Sequence, residues 1–138
     1  MSVNPYLFFD GRAEEALAFY KKVLGAKEGM LMHYKDAPKE AQANMKPDSL
    51  NKVMHMSFKI GDSVIMGSDG HCNGQPKFEG FSLSYNTKDD ADADRVFKAL
   101  SDGGQVRMPL EKTFFASKFG MLADKFGMGW MILSGPQG

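Results

Sequence analysis

The chain has little cysteine: Cys72 is the only one in 138 residues. An internal disulfide is therefore excluded, and a reducing cytoplasm is the expected compartment. It has no surplus of either charge, because 17 Lys and Arg balance 17 Asp and Glu. Without a basic surplus, nothing points to nucleic acid or an anionic membrane as partner. No apolar run approaches the roughly 20 residues that span a bilayer, so no membrane segment is expected. The opening MSVNPYLFFDGR lacks the basic start and long apolar stretch of a secretion signal.

What is present is an ordinary globular balance, 43% hydrophobic and 25% charged, in a chain long enough for a real core. The 11 methionines are less ordinary. Methionine is flexible and polarizable, so these residues suit either an irregular core or an adaptable pocket.

The chain reads as one pattern twice. NPYLFF is apolar and aromatic, as a buried strand is. In AEEALAFYKKVLG, Ala13, Ala16, Leu17, Tyr20 and Leu24 share a helical face, and Gly25 is placed to end the helix. Glu14 and Glu15 in the first turn and Lys21 and Lys22 in the last suit the helix dipole. A strand GMLMHY follows, then DAPKEAQANMKPDSLN, which reads as a long polar loop. VMHMSFKI and SVIMGSD flank Gly61-Asp62, a hairpin signal. After GHCNGQPKFEG the order returns: strand FSLSYN, and a helix opened by Thr87 in the Thr-x-x-Asp spacing of a capping box. Val96, Phe97 and Leu100 form that helix's apolar face, and Asp102-Gly103-Gly104 stops it. A strand over Gln105–Met108, FFASKFGMLAD, a turn at Lys125-Phe126-Gly127 and GWMILS complete it. The expected fold is α+β: two βαβββ modules, about 1–70 and 79–138, with curled mixed sheets whose open faces form a cleft suited to a small ligand.

NPYLFFDGRAEEALAFYKKVLGAK, FKIGDSVIMGSD and DKFGMGWMI, in that order, resemble the signature stretches of the PhnB-like branch of the vicinal oxygen chelate superfamily, which includes glyoxalase I, extradiol dioxygenases and bleomycin and fosfomycin resistance proteins. The resemblance runs from Asn4 to Ser134, apart from the loop of Asp36 to Asn51. It implies paired modules, a homodimer, and sites inside the curled sheets. Metal enzymes of the superfamily place His, Glu or Gln on the first and last strands of each module. The corresponding positions here are Pro5 (with Asn4 beside it), Met66, a place near Gly80, and Met131. A slip of one residue gives Asn4, Gly67, Phe81 and Ile132. None is a suitable donor for a hard or borderline divalent metal. The branch also carries a 3-demethylubiquinone methyltransferase label. A conventional methyl-donor loop opens a helix with a glycine-rich turn, and no such motif is present; the Gly103-Gly104 pair follows a helix.

Candidate polar residues are few. Strand alternation places Met54, Met56, Phe58 and Ile60 on one face of VMHMSFKI and His55, Ser57 and Lys59 on the other, the concave one. A neutral His55 imidazole could serve as acid, base or hydrogen-bond donor; the plainer alternative is a structural histidine bonded to backbone or water. Spacing of two could let His55 activate the Ser57 hydroxyl, although no orienting carboxylate is evident. Asp69, His71 and Cys72 cluster in a glycine-rich stretch that reads as a solvated linker. His33 and Tyr34 end a strand near solvent or the loop, while Asp62 and Asp124 suit tight turns. Arg107, Glu111 and Lys112 could hold an anionic ligand at the second module's mouth, or form a solvated rim. Trp130 points opposite to Met131 and suits the helix face or a dimer contact.

The expectation is a homodimer that binds a small, partly apolar molecule through His55, Ser57, Met66 and Met131, with no metal or other cofactor. The alternative is a metal-independent lyase, isomerase or transferase using His55 as acid or base. A metal-dependent glyoxalase or dioxygenase and the methyltransferase rank lower. A third reading is a vestigial cleft in a protein that acts through its dimer surface.

Overall fold

The structure, a computed structural model, describes residues 1–43, 45, 47–70 and 77–135. It forms two compact units, Met1–Pro76 and Lys77–Gly138. In the first, β1 (Tyr6–Phe8), α1 (Ala13–Leu24), β2 (Lys27–His33), β3 (Val53–Ile60) and β4 (Ser63–Ser68) make a sheet of order β1-β4-β3-β2. Strand β1 runs parallel to β4, with Tyr6 opposite Met66; the other pairs are antiparallel. The second unit repeats this order with β5 (Leu83–Asn86), α3 (Asp90–Ser101), β6 (Gln105–Glu111), β7 (Lys118–Ala123) and β8 (Gly129–Ser134), giving β5-β8-β7-β6. The βαβββ pattern expected in each half is present.

Each helix buries its apolar face on one side of its sheet. Ala13, Ala16, Leu17, Tyr20 and Leu24 of α1 are buried, as are Leu7, Met56, Phe58 and Ile65 from the sheet. The Tyr20 ring stacks on Phe58 at 5.8 Å and lies 6.5 Å from Phe9. Burying each large side chain of this kind contributes about 1.5–3 kcal/mol. Gly67 makes room for that packing: a Cβ there would lie 2.9 Å from the Leu7 carbonyl oxygen and 3.3 Å from the Phe9 ring. In the second unit Ala93, Val96, Phe97 and Leu100 pack with Leu122, Trp130 and Ile132.

The two helices differ in how closely their ends follow local sequence signals. Gly25 takes φ 67°, the left-handed conformation that closes α1. Helix α3 starts later than the Thr87 capping box suggests. Asp89 is its N-cap, accepting from the Asp92 amide at 2.7 Å, whereas the Thr87 hydroxyl donates to the Leu133 carbonyl at 2.9 Å and so ties β5 to β8. A carboxylate free to face the first turn wins over a hydroxyl already bound to a strand. The Asp36 to Asn51 stretch is not a plain loop. It leads on from a 3-10 turn at Tyr34–Asp36 and holds the short helix α2 (Lys39–Gln42) and a second 3-10 turn at Pro47–Ser49. The Gln42 amide donates to the carbonyls of Lys35 and Ala37 and so replaces the long-range packing that the polar sequence lacks.

Candidate functional site

With the helix on one side, alternation leaves Tyr6 and Phe8 of β1, Met66 of β4, and His55 and Ser57 of β3 on the opposite face of the first sheet. Tyr6 and Phe8 are exposed; Met66, His55 and Ser57 are half-buried. The Tyr6 hydroxyl lies 3.0 Å from His55 Nδ1, and the two rings are 5.5 Å apart. Tyr6 also sits 5.1 Å from the Phe8 ring. Strand β4 lies between β1 and β3, so the phenol reaches across it, over the row Tyr6–Met66–Ser57 set by the strand register. With strands spaced about 4.8 Å apart, this two-strand span is bridged by the tyrosine and histidine side chains reaching towards each other. His55 is thus paired with Tyr6, a partner the sequence reading missed. Period-two alternation in YLF, with only Leu7 buried, is the signal that could have found it.

Ser57 is not paired with His55. Its Oγ accepts from the Met30 amide at 2.9 Å. A Cβ at Gly29 would lie 2.6 Å from that oxygen, so a side chain there would collide with it. The hydroxyl therefore pins β2 at an irregularity in its pairing with β3, and the His55–Ser57 activation pattern is absent.

In the second unit, Ser84, Met131, Met121 and Met108 line one register row across β5, β8, β7 and β6. Ser84 stands to Met131 as Tyr6 stands to Met66, so the register counterparts of Pro5 and Tyr6 are Leu83 and Ser84. Gly80, the expected third position, lies before the strand at φ 79°. Strand β5 begins later than its sequence suggests, because Phe81 and Ser82 resemble strand residues but are unpaired. Met131 and Met121 pack with Phe115 on a buried cluster of Ala116, Phe119 and Leu133. Met131 thus belongs to an apolar cluster, whereas Met66 shares its face with the Tyr6–His55 pair.

The donor chemistry of these matched positions does not fit a divalent metal. Corrected for register, they hold Pro5 or Tyr6, Met66, Leu83 or Ser84, and Met131: hydroxyl and thioether donors at best, with no carboxylate or imidazole. Among the described residues, no three His, Cys, Asp or Glu side chains gather as a metal would require. His71 and Cys72 lie outside the described residues.

Asp69, expected in a solvated linker, is instead buried. Its Oδ1 accepts from the amides of Gly11 and Ala13 at 2.7 and 2.8 Å, and its Oδ2 from Val53 at 2.8 Å. One carboxylate thereby joins the end of β4, the start of α1 and the start of β3, where the helix dipole favours negative charge. Asp124 exceeds a turn role in the same way. It accepts from the amides of Phe126 and Met128, and from the buried Trp130 indole N–H at 2.9 Å. Trp130 faces the helix side of its sheet, as expected from alternation.

His33 meets the loop at Asp36, 3.8 Å from its Nδ1, and also helix α1, where its Nε2 lies 2.6 Å from Glu14. Tyr34 donates to the Gly70 carbonyl. Asp62, Glu111 and Lys112 are exposed, and Arg107 Nη1 reaches back within 3.2 Å of where a Cβ on Gly129 would sit. The Tyr85 phenol is pushed up mainly by burial, with Asp92 adding and Arg95 opposing. The Asp90 carboxyl is held down by hydrogen bonds from Ser117 and Ser134, with a smaller contribution from Lys118.

Comparison with known proteins agrees with this architecture. Residues 1–133 match the model of the family described as 3-demethylubiquinone-9 3-methyltransferase. Protein YjdN of Escherichia coli K12 is 33% identical over 96% of this chain and 94% of its own. The crystal structure of PA1353 from Pseudomonas aeruginosa superposes with a TM-score of 0.86 at 35% identity, covering 99% of both chains. A PhnB protein from Bacillus cereus gives 0.81 at 26% identity, covering 98% of this chain and all of that one. The fosfomycin resistance protein FosX from Mesorhizobium loti, at 16% identity and a TM-score of 0.64 over 98% and 91% of the two chains, shares the fold alone. Paired βαβββ units and these matches together place the chain in the 3-demethylubiquinone-9 3-methyltransferase family, with the architecture of a PhnB protein.

Proposed function

We propose that this protein binds a small, partly apolar molecule on the open face of its first sheet without a metal. The observation that carries this reading is the Tyr6–His55 pair beside Phe8 and Met66: one hydrogen-bonding couple set in aromatic and thioether surface. Small-molecule sites have this composition, mostly apolar with a few placed polar groups. The family's methyltransferase description finds no support in the chain's glycines, since no glycine-rich turn opens α1 or α3. We place the protein in the cytoplasm as a homodimer, with neither nucleic acid nor membrane as partner; no helix among the described residues is long and apolar enough to cross a bilayer. Native mass spectrometry of freshly purified protein tests both parts. The expected spectrum is dimeric and carries an organic adduct that Tyr6→Ala or Met66→Glu weakens. A clean ligand-free spectrum, together with no saturable binding in a metabolite screen, would favour a vestigial site.

A second reading has one observation in its favour. The 3.0 Å contact to Tyr6 orients His55 as an acid–base residue needs, so a metal-independent lyase, isomerase or transferase is its natural extension. It requires a turnover that His55→Ala abolishes while the fold persists. Retained turnover in that variant would sink it.

A further inference from the structure

We infer that Tyr6 holds His55 in the tautomer protonated on Nε2, so that the first sheet presents an N–H donor and selects ligands that carry an oxygen acceptor beside an apolar or aromatic group. The inference rests on the binding reading above and narrows it to carbonyl, carboxylate or phosphoryl oxygen as the anchoring group.

The geometry supplies the steps. A 3.0 Å contact between a phenol oxygen and imidazole Nδ1 is a hydrogen bond that can run either way. A phenol is a more acidic donor than a neutral imidazole N–H, so the favoured arrangement has Tyr6 donating to the Nδ1 lone pair. A neutral imidazole with an accepting Nδ1 carries its proton on Nε2. Among the described residues, Nε2 of His55 has no protein hydrogen-bond partner, so that donor is free for a ligand. Tyr6 also makes two ring contacts, to Phe8 at 5.1 Å and to His55 at 5.5 Å. Phe8 is more than half exposed, at 56%, and extends the apolar surface on which a ligand's flat portion can rest. The opposite orientation, with Tyr6 accepting from Nδ1–H, would leave a bare lone pair on Nε2 and select ligands bearing a donor. The two orientations therefore make opposite demands on the ligand.

Tyr6 is a positioning residue in this scheme, so its test reads protonation directly rather than activity. Nitrogen-15 spectra of histidine-labelled protein at mildly alkaline pH report which ring nitrogen carries the proton, and His55→Gln assigns the signal. We expect a protonated Nε2 and a bare Nδ1 in the native chain. Tyr6→Phe, which keeps the ring and its packing on Phe8, should move His55 towards a mixture of tautomers. A proton on Nδ1 in the native chain, or an unchanged tautomer balance in Tyr6→Phe, would overturn the assignment.

Titration with benzoate and with benzylamine then tests the ligand class. Benzoate should shift the His55 Nε2, Tyr6 and Phe8 signals saturably, and in His55→Ala the Tyr6 and Phe8 shifts should require at least tenfold more benzoate, while protonated benzylamine should shift none of them. Equal responses, a preference for benzylamine, or no response to benzoate would overturn the proposed selectivity. The tautomer spectra are read without any ligand, so failure there is distinct from failure of the binding reading, whereas silence towards both probes would count against both.

Discussion

At the scale of single residues, two buried carboxylates hold more of this protein together than any surface ion pair. Asp69 accepts three backbone amides in a site only 2% exposed, and removing it leaves those donors without their partner in low-dielectric surroundings. We expect Asp69→Ala to cost roughly 2–4 kcal/mol in urea unfolding, well above the 0–1 kcal/mol of an exposed pair such as Arg12–Glu15. Asp124 allows a sharper comparison. Asp124→Asn keeps an oxygen for the Phe126 and Met128 amides but turns an N–H₂ group against the Trp130 indole N–H. Trp130→Phe deletes that donor and leaves the acceptor with its backbone partners. Asp124→Asn should therefore destabilise by about 2–3 kcal/mol, and adding Trp130→Phe should recover part of that loss. Strictly additive losses in the double variant would contradict the direct bond. Neither aspartate advertised its role in the sequence. Asp69 sits in a glycine-rich stretch that reads as solvated, and its helix partners lie 56 and 58 residues away.

At the scale of elements, the helices were legible because periodicity and end signals are local. Ala13, Leu17, Tyr20 and Leu24 recur at helical spacing, and Gly25 supplies the left-handed residue at the end. The start of α3 was misread by two residues, since a Thr and an Asp compete for one cap and only the strand beside Thr87 decides between them. Register was less legible. Gly80 was assigned the place that Ser84 and Leu83 hold, because strand β5 begins only where it meets β8. The Tyr6–His55 pair, 49 residues apart and across an intervening strand, depends on a parallel β1–β4 pairing that no local pattern specifies.

Helix α3 is also where pH should act. Its Asp90 carboxylate accepts from Ser134 at 2.8 Å and from Ser117, fastening the helix start to the end of β8. Those bonds hold its folded pKa below the ordinary 3.8. The stability they contribute is therefore fully present above that ordinary value and is lost as pH falls through the lower folded pKa. Melting temperatures followed from neutral to acid pH should show a shallower acid decline in Asp90→Asn than in the native chain. Parallel acid limbs would contradict this linkage.

At the scale of the whole molecule, the same βαβββ unit serves two ends in one chain. In the second unit Met121 and Met131 pack, with Phe115, against the buried cluster of Ala116, Phe119 and Leu133. In the first, Met66 lies beside a polar couple on an accessible face. The positions that the sequence resemblance matches to metal ligands hold thioethers, hydroxyls and aliphatic groups, and on this ground we propose that the ligand chemistry is not metal-assisted. Elemental analysis of the purified protein, after exposure to nickel, manganese, iron and zinc and then to a chelator, tests this most directly. We expect far less than one metal ion per chain to remain. One tightly held divalent ion per chain, surviving the chelator and lost on replacing Met66 or Met131, would contradict the account.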